Sequence, residues 1–260
     1  MWFDEINRNR RTFTVACATR IFALAAMLAV PPMLQARAET PACEAVTFES
    51  RAFTVCTANP AEHAFHMYLN APNGEKYGSL GAVPADDLLF ATNAGMYTPE
   101  YEPAGLYVEN GVERNRLNTR KSGYGNFHLQ PNGVFWVKGR TAAVTSTSAY
   151  ARLMPRADLA TQSGPMLVID GKLNPRFDED GPSRYIRNGV GVTKGGRVAF
   201  AISEVPVSFG AFARLFRDHL KCPNALYFDG SVSQLRIAGQ FRPTFGPRLG
   251  PMLAVYRARK

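Results

Sequence analysis

The chain has 260 residues, 46% of them hydrophobic and 20% charged, with a formal net charge of +9 and four cysteines. That composition excludes a disordered or collagen-like chain, and with neither a repeat period nor a low-complexity linker it reads as one large domain. The basic residues form no run of five or more like charges, which argues against nucleic acid as a partner and leaves an anionic substrate open.

The amino-terminal segment reads as an export signal. Arg8, Arg10 and Arg11 precede an apolar run from Ile21 to Val30, followed by Pro31, Pro32 and Ala36-Arg37-Ala38. This is a positive region, a short apolar region and a small-residue cleavage site. The run is about half the ~20 residues that a membrane-spanning helix needs. Residues 1–38 are therefore expected to be cleaved, and residues 39–260 to be exported to the periplasm or secreted with no stable membrane anchor. Losing five arginines and two acids takes the net +9 to about +6, so the basicity belongs partly to the signal. Cys17 leaves as well, and an oxidising compartment receives Cys43, Cys56 and Cys222.

Ala45 to Phe48 and Ala52 to Val55 form a predicted hairpin closed at Glu49-Ser50. In that register Cys43 faces Cys56, which predicts a disulfide, while Val46 faces Phe53 and Glu44 faces Val55 on the apolar side. Glu-Ser is a poor sequence for a type I′ turn. Cys222 is left as a buried free thiol. No metal is implied, because there is no Cys-x-x-Cys or paired histidine spacing, and His63 and His66 read as surface residues.

From Phe65 onward short strand-like runs alternate with Asn73-Gly74, Asn110-Gly111, Asn132-Gly133 and Asp170-Gly171, the signature of antiparallel hairpins. One helix stands out, Phe209 to Leu220, capped by Ser208 and ended before Pro223, with Phe209, Phe212, Leu215, Phe216 and Leu220 on one apolar stripe. It joins Val198–Ser203 to Ala225–Phe228, a strand, helix, strand unit whose strands are expected to be parallel neighbours. Ligands gather at the carboxyl ends of such strands, here Ser203-Glu204 and Asp229-Gly230. The fold class is accordingly α/β (α+β), a single domain with a mixed, largely antiparallel sheet and few helices.

Four stretches carry polar groups at strand ends. In Asn224 to Ser233 an apolar run stops at Asp229-Gly230-Ser231, either a site carboxylate or a plain type I′ turn. Asn93 and Gly95 follow a strand-like run, as a site or an asparagine turn. Gln162, Ser163 and Gly164 sit at the lip of the strand that begins at Met166. Arg187 and Asn188 precede Gly189-Val190-Gly191-Val192, where a guanidinium offers a fixed fork for phosphate or carboxylate.

Taken in order, Asn-Ala-Gly-Met, Ser-Gly-Pro-Met-Leu, Arg-Asn-Gly-Val-Gly and Asn-Ala-Leu-Tyr-Phe-Asp-Gly-Ser-Val-Ser resemble the phosphodiester glycosidase domain family, over about Ala45 to Gly239. The likeness is to its compact, exported bacterial branch. Uncovering-enzyme members have several consecutive glycines after the aspartate, whereas here Gly230 is followed by Ser231 and Val232. The resemblance implies one mixed domain whose pocket gathers Asn93, Gly95, Ser163, Gly164, Arg187, Asp229, Ser231 and Ser233. Gln162, Asn188 and Gly230 complete the candidate set. It also implies hydrolysis of a sugar-1-phosphodiester through an oxocarbenium-like state, with phosphate as a good leaving group. Asp229 suits the catalytic carboxylate, Arg187 and the hydroxyls of Ser163 and Ser231 suit the phosphate, and Glu204 is the candidate second carboxylate. No cofactor is implied, and a divalent ion is left open. The partner is a sugar-phosphate or glycan substrate. The competing reading is a non-catalytic binder of cell-envelope glycans or phosphorylated polysaccharide. A binder has no use for Asp229 beside a phosphate, because like charges repel.

Overall fold

The computed structural model describes residues 42–240 and 246–258; the predicted signal segment, 1–38, lies outside them. The strands are β1 (Cys43–Phe48), β2 (Arg51–Ala58), β3 (His63–Tyr68), β4 (Leu88–Asn93), β5 (Tyr107–Glu109), β6 (Val112–Asn115), β7 (Gly133–Lys138) and β8 (Thr141–Ser146). After helix α1 (Thr147–Leu153) come β9 (Leu159–Ser163), β10 (Met166–Ile169), β11 (Lys172–Leu173), β12 (Asn188–Val192) and β13 (Val198–Ser203). Helix α2 (Phe209–Arg214) precedes β14 (Asn224–Asp229), β15 (Leu235–Ile237) and β16 (Met252–Arg257). They form a seven-stranded sheet in the order β1-β2-β13-β12-β14-β10-β11, a four-stranded sheet β15-β4-β16-β3, and a five-stranded sheet β6-β5-β9-β7-β8. This is the expected α/β (α+β) domain, dominated by antiparallel strands.

Both faces of the seven-stranded sheet are covered, which is why its strands lack a clean apolar and polar alternation. One face meets the other two sheets in the main core, where Phe200 packs its ring against Phe65, Phe90 and Phe135 at centroid distances of 6.4, 5.4 and 5.8 Å. The opposite face takes α2 and the π turn that continues it, Leu215–His219, where Phe212 of the first and Phe216 of the second lie with Phe53, Val55, Leu167 and Tyr227 in a second core. Every one of the six residues of β13 is buried.

The β1–β2 hairpin has the register expected from its sequence: Cys43 faces Cys56 and is bonded to it, Val46 faces Phe53, and Glu44 faces Val55. Its turn residues Glu49 (φ 47°) and Ser50 (φ 59°) are both left-handed, a conformation that costs about 1–2 kcal/mol per non-glycine residue. An ion pair offsets part of that cost. Arg214, on the last turn of α2, donates from Nε and Nη2 to the two Glu49 carboxylate oxygens, each at 2.7 Å. Cys222 is buried without a disulfide, and burial pushes its thiol up to about 12.

Two expectations need adjustment. The helix is α-helical only to Arg214 and continues as a π turn over Leu215–His219, leaving through Lys221 in the left-handed region (φ 54°) before Pro223. Ser208 caps it as predicted, accepting from the Ala211 N–H at 3.1 Å. The two strands that it connects run parallel but are not neighbours, because β12 lies between them and pairs antiparallel with both. The glycines of β12 explain the insertion: a Cβ on Gly189 would lie 3.3 Å from the Phe212 ring, and one on Gly191 would lie 2.8 Å from Phe216. Without side chains there, α2 sits directly across the strand.

The Glu49–Arg214 pair has a pH signature. Its hydrogen bond to Arg214 holds the Glu49 carboxyl below its ordinary value, so its contribution is present above about pH 4.5 and is lost as pH falls through the lower folded value. Glu49→Gln is expected to destabilise the protein by about 0.5–1 kcal/mol at pH 7, the scale of a partly exposed pair. Denaturant titrations of parent and variant should show that gap closing as pH falls below the ordinary carboxylate range.

Candidate active site

The motifs that the sequence set apart meet at the carboxyl end of β14, where three consecutive residues take contacts from two other segments. Arg187 Nη1 donates to the Tyr227 hydroxyl at 3.2 Å, Ser163 Oγ donates to the Phe228 carbonyl at 3.2 Å, and Asn188 is the strand partner of Asp229. Asn93 joins them through Asn188, whose Nδ2 lies 2.9 Å from Asn93 Oδ1 and 3.0 Å from the Asn93 carbonyl.

Neighbouring residues of a strand point to opposite faces, so Arg187 and Asn188 part company at this point. On the Asn188 side the polar groups tie sheets together. Asn93 Oδ1 accepts from the Gln234 N–H at 2.9 Å, and Ser233 Oγ lies 2.9 Å from the Ile186 carbonyl and 3.0 Å from the Asp229 carbonyl. Asn93 and Asn188 are both buried, and this network bridges the seven-stranded and four-stranded sheets.

On the Arg187 side the environment is different. The guanidinium is sealed from solvent, with Nε donating to the Val207 carbonyl at 2.9 Å and Nη2 to the Ser183 carbonyl at 2.8 Å. Its carbon lies 3.7 Å from the centre of the Phe209 ring. Burial lowers its affinity for a proton, but an arginine keeps its charge in a protein. No solvent-facing atom of Arg187 is left to grip a phosphate directly, so any role for its charge runs through the Tyr227 hydroxyl. Burial, above all, raises the Tyr227 phenol well beyond its ordinary value; the charges of Arg187 and Asp229 act on it in opposite directions.

Asp229 is half-buried and fixed by its own turn. Its Oδ1 accepts from the N–H groups of Gly230, Ser231 and Val232 at 2.5, 2.6 and 3.2 Å. The residue therefore makes an Asx-type clamp and not the two-residue hairpin turn that Asp-Gly also permits. Tyr97 stands within electrostatic reach, its phenol pushed up to about 12 by burial and by the Asp229 charge. A cleft of about 390 Å³ opens beside this turn, lined by Arg184, Tyr185, Gly230, Ser231 and Ser233 among others. A second hollow of similar volume, lined by Glu102, Glu109 and Arg114, shares no residue with these motifs.

Other candidates serve the framework. All four hydrogen-bonding positions of the Gln162 amide are used: Oε1 accepts from Leu106 and Asn118 N–H, and Nε2 donates to the Asn118 carbonyl and Thr147 Oγ1. A Cβ on Gly95, at φ +105°, would meet Thr161 Oγ1, and one on Gly164 would lie 2.7 Å from Asn132. Both glycines thus allow packing between segments of the protein. Glu204 is held away from Asp229, because β12 separates their strands and Thr54 Oγ1 donates to its carboxylate at 2.5 Å. Among the described residues no cluster of three or more His, Cys, Asp or Glu side chains forms a metal site. Sequence reasoning passed over Tyr227, whose hydroxyl takes the Arg187 Nη1 hydrogen bond, and Tyr97, which stands near Asp229. Tyr227 read as core because it lies inside an apolar run.

A family model for phosphodiester glycosidase matches residues 86–255. The chain is 36% identical over 225 residues to the uncharacterized protein YigE of Escherichia coli (strain K12), covering 85% of each. Its fold is similar to the catalytic domain of zebrafish N-acetylglucosamine-1-phosphodiester alpha-N-acetylglucosaminidase, with a TM-score of 0.57 and 14% identity over 85% of both chains. It is also similar to a hypothetical protein from Synechocystis, at a TM-score of 0.52 and 15% identity over 83% of this chain and 61% of that one. At such identities these two likenesses concern the fold.

Gly230 provides a direct check on the geometry. Any Cβ at that position would run into the Tyr227 hydroxyl. Gly230→Ala is expected to destabilise the protein by about 1–3 kcal/mol, the usual cost of overpacking. Combined with Tyr227→Phe, which removes the obstructing oxygen, the same substitution should cost measurably less in a double-mutant cycle. Additive losses would mean that the two groups do not touch.

Proposed function

Because the chain belongs to the phosphodiester glycosidase family, we propose that it is an exported hydrolase that cleaves a sugar-1-phosphodiester at the anomeric carbon, with Asp229 as the catalytic carboxylate. The observation that carries this reading is the Asp229 clamp. Three backbone amides hold one carboxylate oxygen, and the residues that supply them, Gly230, Ser231 and Val232, line the cleft; the other oxygen is the one proposed to activate water or to stabilise positive charge as the glycosidic bond breaks. Such a group is oriented before substrate arrives, so the reaction does not bear the cost of ordering it. The phosphate leaves readily without strong acid assistance, which makes one carboxylate sufficient and Glu204 unnecessary.

Arg187 supports the phosphate side through the polarised hydroxyl of Tyr227, and Ser231, exposed beside the clamp, offers a further donor. The Cys43–Cys56 disulfide and the signal-like residues 1–38 support an oxidising, extracytoplasmic location. No helix among the described residues is long and apolar enough to cross a membrane.

Interactions that strengthen only in the transition state raise the catalytic rate, whereas those present in the ground state set affinity. Asp229→Asn is therefore expected to lower kcat by at least about 10²-fold on a sugar-1-phosphodiester while binding is kept. Melting curves must show the variant folded, since the side chain also anchors its own turn. A folded variant with the parental rate would rule out the carboxylate assignment. A parent that hydrolyses no member of a broad panel but binds phosphoglycans would instead be the glycan-binding protein.

A further inference from the structure

Of the residues that line the cleft of about 390 Å³ beside the Asp229 turn, Arg184 alone is charged. No acidic side chain lines it, and Arg187 is sealed away from solvent. An anion entering the cleft therefore meets the Arg184 guanidinium, whose planar fork suits phosphate. A space of this size admits a phosphate together with part of what it carries.

The backbone that presents Arg184 is pinned on both sides. Before it, Ser183 accepts from Arg187 Nη2 through its carbonyl at 2.8 Å and its hydroxyl at 3.1 Å. After it, Tyr185 exchanges backbone hydrogen bonds with Val207 at 3.2 and 2.9 Å. The same buried guanidinium braces the Asp229 turn, since a Cβ on Gly230 would lie 3.4 Å from Arg187 Nη1. Arg184 and the Asp229 clamp are thus held at a set separation by one cation that touches the supports of both.

The Arg184 side chain is held as well. Its Nη2 donates to Asp180 Oδ2 at 2.8 Å, and Asp180 Oδ1 accepts from Ser208 Oγ at 3.1 Å. Among the described residues this is the one hydrogen bond that the Arg184 guanidinium makes, so the rest of the fork is available to a ligand. Nor does Asp180 cancel the charge. Arg51 also pairs with Asp180 and with Glu49, and Arg214 pairs with Glu49, so three arginines share two carboxylates.

We propose that Arg184 is the residue that grips the phosphate group of the substrate in this cleft, with Asp180 and Arg187 as positioning residues. This rests on the sugar-1-phosphodiester reading for its substrate, but the anion site can be tested without turnover. The probe is inorganic phosphate, titrated into the folded protein by calorimetry and also used as a competitive inhibitor. Arg184→Gln removes the charge from an exposed side chain and is expected to weaken phosphate binding by at least about tenfold, the loss of a charge-assisted hydrogen bond. Arg184→Lys keeps the charge without the fork, and should bind phosphate more tightly than Arg184→Gln but less tightly than the parent. Because the phosphate charge is present in the ground state, KM for a sugar-1-phosphodiester should rise more than kcat falls in both variants. Arg197→Gln is the control: it removes the same charge from an exposed position at the other end of β12 and β13, and should leave phosphate affinity unchanged. Melting curves must show all three variants folded.

A parent that does not bind phosphate at millimolar concentration overturns the proposal, as does Arg184→Gln with parental affinity. Equal losses in Arg184→Gln and Arg197→Gln would mean that phosphate senses only net charge, and an Arg184→Lys protein that binds no better than Arg184→Gln would remove the charge from the account; either result overturns it. A parent that hydrolyses its substrate while Arg184→Gln leaves KM and kcat unchanged refutes the anion site and keeps the hydrolase. A parent that binds phosphate through Arg184 but hydrolyses nothing across a broad panel keeps the site and removes the hydrolase.

Discussion

A positive charge without solvent contact sits at the junction of β12, β14 and α2, and the local structure is arranged to tolerate it. Arg187 has carbonyls on one side, an aromatic face at 3.7 Å and a phenol at its tip. Each of these neighbours is fixed by something else. Val207 and Tyr185 exchange backbone hydrogen bonds, Phe209 opens α2, and Tyr227 is clamped inside β14. The Arg187 N–H itself donates to Ser203 Oγ at the end of β13. Three strand ends and a helix start are thus held around one guanidinium, and the Asp229 turn grows directly from them.

The two faces of the seven-stranded sheet divide the polar residues between two tasks. Toward the four-stranded sheet, Asn93, Asn188, Thr92 and Ser233 satisfy one another in a buried network. Buried amides left unpaired cost about 1–3 kcal/mol each, so such a network either closes or is not tolerated. Toward α2, Arg187, Tyr227 and Asp229 form a set with charge left over. Residues adjacent in sequence, Arg187 and Asn188, therefore do different things because a strand turns successive side chains to opposite sides.

Local patterns were legible in the sequence to the extent that their partners were local. The β1–β2 register followed from the hairpin geometry alone, and the left-handed turn at Glu49-Ser50, poor by its own preferences, is held by Arg214 from 165 residues away. The motif order pointed to strand ends that the structure brings into contact. What stayed hidden was which face each residue would use. Gln162 and Gly164 looked like the lip of a pocket and instead pin loops to β9, because their partners at Asn118 and Asn132 come from other segments. Glu204 looked adjacent to Asp229 until β12 came between them, and the Gly-Val-Gly-Val pattern that seats α2 was the clue to that insertion.

The backbone after Asp229 also bears on the chemistry. A run of several glycines would leave the turn free to follow its ligand, whereas here Gly230 alone is permissive and Ser231 and Val232 restrict the chain. The restriction is compensated by the clamp, since the Ser231 and Val232 N–H groups both donate to Asp229 Oδ1. Gly230 cannot be exchanged for a larger residue, because the Tyr227 hydroxyl occupies the space of a side chain. A rigid carboxylate beside a polarised phenol suits a reaction in which positive charge at carbon and negative charge on phosphate develop a few ångströms apart. The two charges need opposite partners at a fixed separation, and a stiff turn maintains that separation where a flexible one would let the carboxylate and the cation collapse onto each other.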